Sequence, residues 1–509
     1  TQYKEINNFY TTTVYEKGAE VVRMINTLIG EKAFRAGMDL YFERHDGDAA
    51  TIEDFVKCFE DANSIDLSQF SLWYHQAGTP LVSVSSSYDQ AKGEFTLSLE
   101  QMIPPTPGQG TKEPMHIPLR FGLILADGSE AKPSAVSGAD ITGDVLHLKE
   151  RRETVTFSGI TARPVVSLNR SFSAPINLHF EQAPDDLAQI AGNDSDLFSR
   201  WQALNDLALP NLVDAARKAR AGEPVETNVV LVDTLITIAG DESLEPAFRA
   251  QALALPSESD IARELGSNND PDAIRAGREA VLAFVANRNP AVFAALFENH
   301  GTKGAFTPDA ASAGKRALRN AALAYLAVSD GGPARAAAAF KAADNMTDLS
   351  AALTVLAHRF PDAPETAEAL EAFRARFADN ALVIDKWFSI QSTIPGDGAL
   401  ERVKALMTSP HFNKANPNRV RALVGTFAFS NPTGFNRADG AGYRFLADQI
   451  LEIDPKNPQL AARILTSMRS WRALEESRSD HARNALRAIA AGEKLSSDVS
   501  DIVERMLKG

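Results

Sequence analysis

Nine histidines, at 45, 75, 116, 147, 179, 300, 358, 411 and 481, are the first place to look for metal ligands or acid–base groups in this 509-residue chain. A zinc motif of the H-E-x-x-H kind puts two imidazoles at i and i+4 on one helix face, so that both reach one ion. No two of these histidines have that spacing. No P-loop and no G-x-S-x-G nucleophile elbow occur either. Cys58 is the single cysteine, which excludes an intrachain disulfide and a cysteine-based zinc site. Its neighbour Lys57 points to another side of a helix, so nothing adjacent activates the thiol, and Cys58 reads as packing. Glu16 and Glu20 are tempting general bases, but Glu16 first favours a helix N-terminus. On these residues alone each histidine is structural, and no activity is assignable.

Three regions with different periodicities must carry these residues. Residues 1–78 read as helical: Val21, Met24, Ile25 and Leu28 keep a buried stripe stopped by Gly30. Phe34, Met38, Tyr41 and Phe42 predict a second stripe, ended at Asp46-Gly47. Thr51 and Asp54 resemble a capping box ahead of Phe55, Cys58 and Phe59, and a last helix carries Phe70 and Trp73. From residue 79 to about 180 the pattern alternates. Leu81–Ser85, Phe95–Leu99, Ile117–Leu125, Thr154–Phe157 and Val165–Leu168 read as strands of a small β-sandwich. Residues 181–509 are helical throughout and punctuated by turn signals such as Asn268-Asn269-Asp270-Pro271 and Asp454-Pro455-Lys456-Asn457-Pro458. No strict repeat is present, yet stacked helix pairs are the natural way to arrange so many helices.

Composition bounds the partners. A formal net charge of −14 argues against a general nucleic-acid binder. No run approaches 18 consecutive apolar residues, so no transmembrane helix is predicted. The chain starts at Thr1 with no charged-then-apolar leader behind it, and a missing native N-terminus is expected.

An ordered series of motifs then resembles one family. Asn7-Asn8-Phe9-Tyr10-Thr11-Thr12-Thr13-Val14-Tyr15-Glu16-Lys17-Gly18-Ala19-Glu20-Val21-Val22-Arg23-Met24 resembles the segment that follows the zinc site in the aminopeptidase N family of gluzincin metallopeptidases. Tyr41-Phe42-Glu43-Arg44-His45-Asp46-Gly47 and Trp73-x-x-Gln76-x-Gly78-x-Pro80 are similar to later family markers. So are Asn345-Met346-Thr347-Asp348, Asp385-Lys386-Trp387-Phe388, Asn416-Pro417-Asn418-Arg419-Val420-Arg421 and Asn457-Pro458-Gln459. The resemblance implies a mainly α, multidomain chain. Residues 1–78 would be the helical end of a thermolysin-like catalytic domain, 79–180 the sandwich, and 181–509 an all-α superhelical domain.

The resemblance also implies roles. Tyr15 would donate its hydroxyl to the oxyanion of the tetrahedral intermediate. Without the family Tyr15 reads only as packing at a helix start. Tyr10 would wall the pocket for the substrate's first side chain by stacking and cation–π contact. Arg421, Gln459 and Arg463 would face the active-site chamber, where an arginine can hold a peptide carboxylate or carbonyl. Trp73, Gln76, Gly78 and Pro80 are read as structural, closing a helix where the sandwich begins. The family's zinc ligands and its Gly-x-Met-Glu-Asn amine loop have no counterpart here. The chain is therefore expected to be a C-terminal portion, inactive in isolation, of a cytoplasmic zinc aminopeptidase acting on peptides with a free N-terminus. The alternative is a non-enzymatic helical-repeat scaffold that binds protein partners. Oligomeric state and the preferred N-terminal residue are open at this point.

Overall fold

The computed structural model describes residues 9–301 and 304–508. The chain divides into two compact units, Phe9–Leu204 and Asn205–Gly509. In the first, a π-helical turn Thr13–Lys17 runs into helices α1 (Gly18–Ile29), α2 (Glu31–His45), α3 (Ile52–Asn63) and the short α4 (Leu72–His75). Helix α1 buries Val21, Met24 and Ile25 and stops at Gly30, whose φ of +81° is costly for any residue with a Cβ. The capping box of α3 is complete: Asp54 N donates to Thr51 Oγ1 at 3.1 Å, and Thr51 N donates to Asp54 Oδ2 at 2.9 Å. Aspartate thus replaces the usual glutamate without losing either bond.

Helices α2 and α3 meet through Gly37, where a Cβ would stand 2.2 Å from Phe59 Cδ1. Phe34 and Phe59 place their ring centroids 5.1 Å apart, as do Tyr41 and Phe55. Phe42 departs from the predicted stripe and is 57% exposed. One further residue turns a side chain by about 100°, which carries Phe42 off the face that holds Tyr41.

The sandwich consists of β1 (Leu81–Asp89), β2 (Glu94–Met102), β3 (Ile117–Ile124), β4 (Ala135–Ser137), β5 (Ile141–Thr142), β6 (Val145–Leu148), β7 (Arg152–Ser158), β8 (Val165–Leu168) and β9 (Asn177–Phe180). One sheet has the order β4-β7-β2-β1-β9 and the other β5-β6-β3-β8. All pairings are antiparallel except β1 with β9, in which Leu81 lies opposite Asn177. Phe95, Leu97, Leu99, Val155 and Phe157 from one sheet share a core with Ile117, Leu119, Leu123, Leu146 and Leu148 from the other. Val21, Met24, Phe59, Phe70 and Trp73 belong to that same core, so α1–α4 and the sandwich fold as one hydrophobic body.

Helix Pro184–Asn193 also lies in the first unit, and helix Leu197–Ala221 runs across the division. The second unit is built of helices around a core that includes Leu323, Leu353, Phe373, Phe388, Leu423 and Leu486. Its Asn-Pro and Asp-Pro dipeptides start helices. Asp270 accepts from Asp272 N ahead of Pro271–Arg288, and Asn457 accepts from Leu460 N ahead of Pro458–Leu465. A side-chain acceptor at the N-cap and proline at the first helical position satisfy the orphan amides of a helix start. Among the described residues no single helix is long and apolar enough to cross a membrane.

Candidate functional site

Tyr15 sits in the middle of the π-helical turn, where Gly18 N donates to Thr13 O, five residues back. Such a turn inserts a residue into helical geometry and re-aims the side chains it carries, and it recurs at functional sites. Tyr15 is 61% exposed and Tyr10 58%. Their ring centroids lie 6.3 Å apart, so these two expected site residues are brought together. The Tyr15 hydroxyl makes no hydrogen bond with any described residue. Asn7 and Asn8 of the same motif lie outside the described residues.

Lys17 anchors this turn. Its Nζ donates to the Gly78 carbonyl at 2.8 Å and stands 5.8 Å from the centroid of the Trp73 ring. Burial, and then the nearby Lys112 charge, hold the Lys17 ammonium below its usual pKa. Lys112 donates to Ala77 O and, at 2.8 Å, to Thr106 Oγ1. Two ammonium groups therefore converge on consecutive carbonyls of the Ala77-Gly78 turn, where Gly78 has φ +102°. Gln76 pairs with the Glu113 backbone in both directions, at 2.9 and 2.7 Å, and Trp73 Nε1 donates to His116 O at 2.9 Å. The Trp73-to-Pro80 marker thus positions the turn that holds Lys17. That link escapes a reading of the sequence because Lys17 and Gly78 are 61 positions apart.

Several other chemistry-bearing groups of this unit are occupied structurally. Glu20 accepts from Arg23 at 2.6 and 2.9 Å. Arg23 also donates to Ser171 O at 2.6 Å and Phe172 O at 2.7 Å. Ser171 and Phe172 have φ of +56° and +51°, sparsely populated conformations for residues with a Cβ. Cys58 is fully buried. His116 Nε2 and His147 Nδ1 lie 3.0 Å apart, and burial depresses both imidazoles, His116 to about 4. Among the described residues no group of three or more His, Cys, Asp or Glu side chains is placed to hold a metal ion.

The other three expected residues lie in the second unit. Arg421 opens a second π-helical turn, Arg421–Gly425, in which Thr426 N donates to Arg421 O. Its guanidinium is exposed and donates to Asn418 Oδ1 at 3.1 Å. Gln459 and Arg463 occupy i and i+4 on helix Pro458–Leu465, both exposed and hence on one face. A Cβ on Gly425 would come 4.0 Å from Ile464 Cγ1, so the Arg421 turn packs beside that helix. The neighbouring markers are structural. Arg419 pairs with Asp385 at 2.5 Å, and Asn345 Nδ2 and Asn320 Nδ2 each donate to the Asp348 carboxylate at 2.9 Å.

Comparison with known proteins matches the chain in three segments. Residues 1–74 match the peptidase family M1 domain, and residues 78–181 match a domain of unknown function (DUF3458) with an Ig-like fold. Residues 184–508 match a domain of unknown function (DUF3458_C) with ARM repeats. Aminopeptidase N of Escherichia coli is 37% identical over 99% of this chain, and that of Caulobacter vibrioides 41% over 100%. The chain spans 57% of the length of each of these relatives. A crystal structure of Legionella pneumophila aminopeptidase A in complex with aspartic acid superposes with a TM-score of 0.86 at 27% identity. It covers 99% of this chain and 58% of that one. A helical scaffold unrelated to peptidases is not favoured by these matches. The chain belongs to the DUF3458_C ARM-repeat family, carried here behind Ig-like and peptidase M1 segments as a portion similar to bacterial aminopeptidase N.

Proposed function

We propose that the protein to which this chain belongs is a zinc-dependent aminopeptidase that removes N-terminal residues from peptides. The observation that carries this reading is the 37% and 41% identity to aminopeptidases N along essentially the whole chain. No ligand set for zinc occurs among the described residues. This chain's part in the reaction is therefore binding and hydrogen bonding, with the metal ligands in the rest of a longer protein. Tyr15, exposed on its anchored turn with an unengaged hydroxyl, donates to the oxyanion that develops on the scissile carbonyl. A preorganised donor of this kind accounts for about 10²–10³ in turnover. Tyr10, its ring tilted beside that of Tyr15, forms an aromatic wall for the substrate's first side chain. Arg421, Gln459 and Arg463 bind the peptide beyond the scissile bond through carboxylate and carbonyl contacts.

The enzyme acts on peptides with a free N-terminus and works in the cytoplasm. Incubating the longer protein with Ala-Phe-Gly and with its N-acetylated form tests this. Release of free alanine from the first peptide alone is expected. Internal cleavage, or equal turnover of the acetylated peptide, contradicts the reading.

A further inference from the structure

The second unit holds a cavity of about 660 Å³ that the proposed reaction does not use. Its lining carries five charged side chains, Glu258, Arg275, Arg278, Glu279 and Arg359. Among them lie apolar side chains, with Leu253, Leu282, Ala324, Val355 and Phe429. Phe429 is 48% exposed despite its size. The walls are preformed. The Tyr325 hydroxyl donates to Leu253 O at 2.7 Å, and Asn431 Nδ2 donates to Ser392 O and Ile394 O at 2.8 and 2.9 Å. Cavities of a few hundred Å³ lined by apolar side chains with a few convergent polar groups are the usual form of small-molecule sites.

The charges in the lining do not cancel. Arg275 reaches Glu258 at 3.4 Å and Glu279 at 3.8 Å, and Arg359 pairs with Glu279. Arg278 donates only to carbonyls, Pro256 O at 2.8 Å and Leu255 O at 3.2 Å. Among the described residues it has no carboxylate within ion-pair distance. Three guanidinium groups thus face two carboxylates, and burial raises the Glu258 carboxyl above its usual range against the opposing pull of Arg275 and Arg278. His358, with Nε2 3.0 Å from Thr393 Oγ1, is held below its usual pKa by burial and adds no charge at neutral pH.

We propose that this cavity binds a small monocarboxylate with an apolar tail, its carboxylate against Arg278 and Arg275 and its tail against Leu253, Leu282, Val355 and Phe429. A single negative charge matches the excess cation, whereas an amine would add to it. An inorganic anion would leave the apolar lining of the cavity wet. The site does not rest on the peptidase reading, since all its residues lie in the helical unit and none has a role in that reaction.

Calorimetric titration of the full 509-residue chain with 4-methylpentanoate, isopentylamine and inorganic phosphate tests the proposal. Saturable binding of 4-methylpentanoate is expected, with no heat from the amine. Arg278→Met should weaken it at least tenfold, and Ala324→Phe, which fills the apolar side, should do the same with an unchanged melting temperature. If Arg278→Met does not fold, Ala324→Phe decides. The proposal is overturned by an absence of saturable binding, by equal binding of isopentylamine or phosphate, or by binding indifferent to the substitutions.

Discussion

The π-helical turn Thr13–Lys17 takes Tyr15 out of the register of α1, and Lys17 ties that turn to the Gly78 carbonyl. Tyr15 therefore depends on a lysine two positions away for its direction. In the longer protein, Lys17→Met should lower kcat about tenfold to a hundredfold with little change in KM, because a small misplacement of a donor is costly. Lys17→Arg should recover part of the loss. An unchanged kcat for Lys17→Met would show that the turn holds without this bond. A second group acts on stability. The folded His116 imidazole has its pKa lowered to about 4 by burial, then by His147 and Lys149, with Asp140 opposing. Unfolded chains protonate histidine near pH 6.5, so the unfolded state takes up the proton first. The contribution is complete above about pH 6.5 and is lost as pH falls toward 4, on the order of 3 kcal/mol. Denaturant titrations at pH 7 and 4.5 check this, and His116→Gln should flatten the difference. That Tyr10 and Tyr15 lie close together was legible because their motif is contiguous. The histidine pair was not, since its members are 31 positions apart and meet only through the pairing of β3 with β6.

At the scale of elements, β1, β2, β3, β7 and β8 are visible in the sequence, β2 and β7 by alternation in burial and β3 and β8 as apolar runs. The others fail for separate physical reasons. β6 is buried at every position and does not alternate, β4 and β5 are three and two residues long, and β9 carries exposed Asn177, Leu178 and His179. Signals at Asp270-Pro271 and Asn457-Pro458 read as turns and prove to be helix N-caps, since a cap is a turn that a helix continues. Close helix contacts were invisible, because a glycine within a helix shows nothing of its neighbour. Gly277 is such a case: a Cβ there would lie 2.5 Å from the Ala215 carbonyl carbon and the Ala216 nitrogen. Gly277→Ala should destabilise the chain by about 1–3 kcal/mol through forced separation of the two helices. Thermal unfolding reads this as a lower melting temperature; a stabilised variant would mean that the contact is slack.

For the whole molecule, the ordered series of motifs carried more than any composition or periodicity, because several of the motifs hold joints of the fold. Trp73-to-Pro80 secures the Lys17 turn, Asn345-to-Asp348 caps a helix, and Arg419 pairs with Asp385. Matching them in order amounts to matching the fold, and the TM-score of 0.86 to an aminopeptidase reflects this. The chemistry was less legible, since Tyr15 gains meaning only beside a metal whose ligands are not among the described residues. The central claim is that Tyr15 supplies the transition-state hydrogen bond of a metal-dependent aminopeptidase. Hydrolysis of an alanine chromogenic amide by the longer protein, with and without a zinc chelator, wild type against Tyr15→Phe, tests it most directly. Chelator-sensitive activity with kcat reduced about 10²–10³ in Tyr15→Phe is the predicted result. Full activity in a folded Tyr15→Phe, or no chelator-sensitive hydrolysis by a folded wild type, would contradict it.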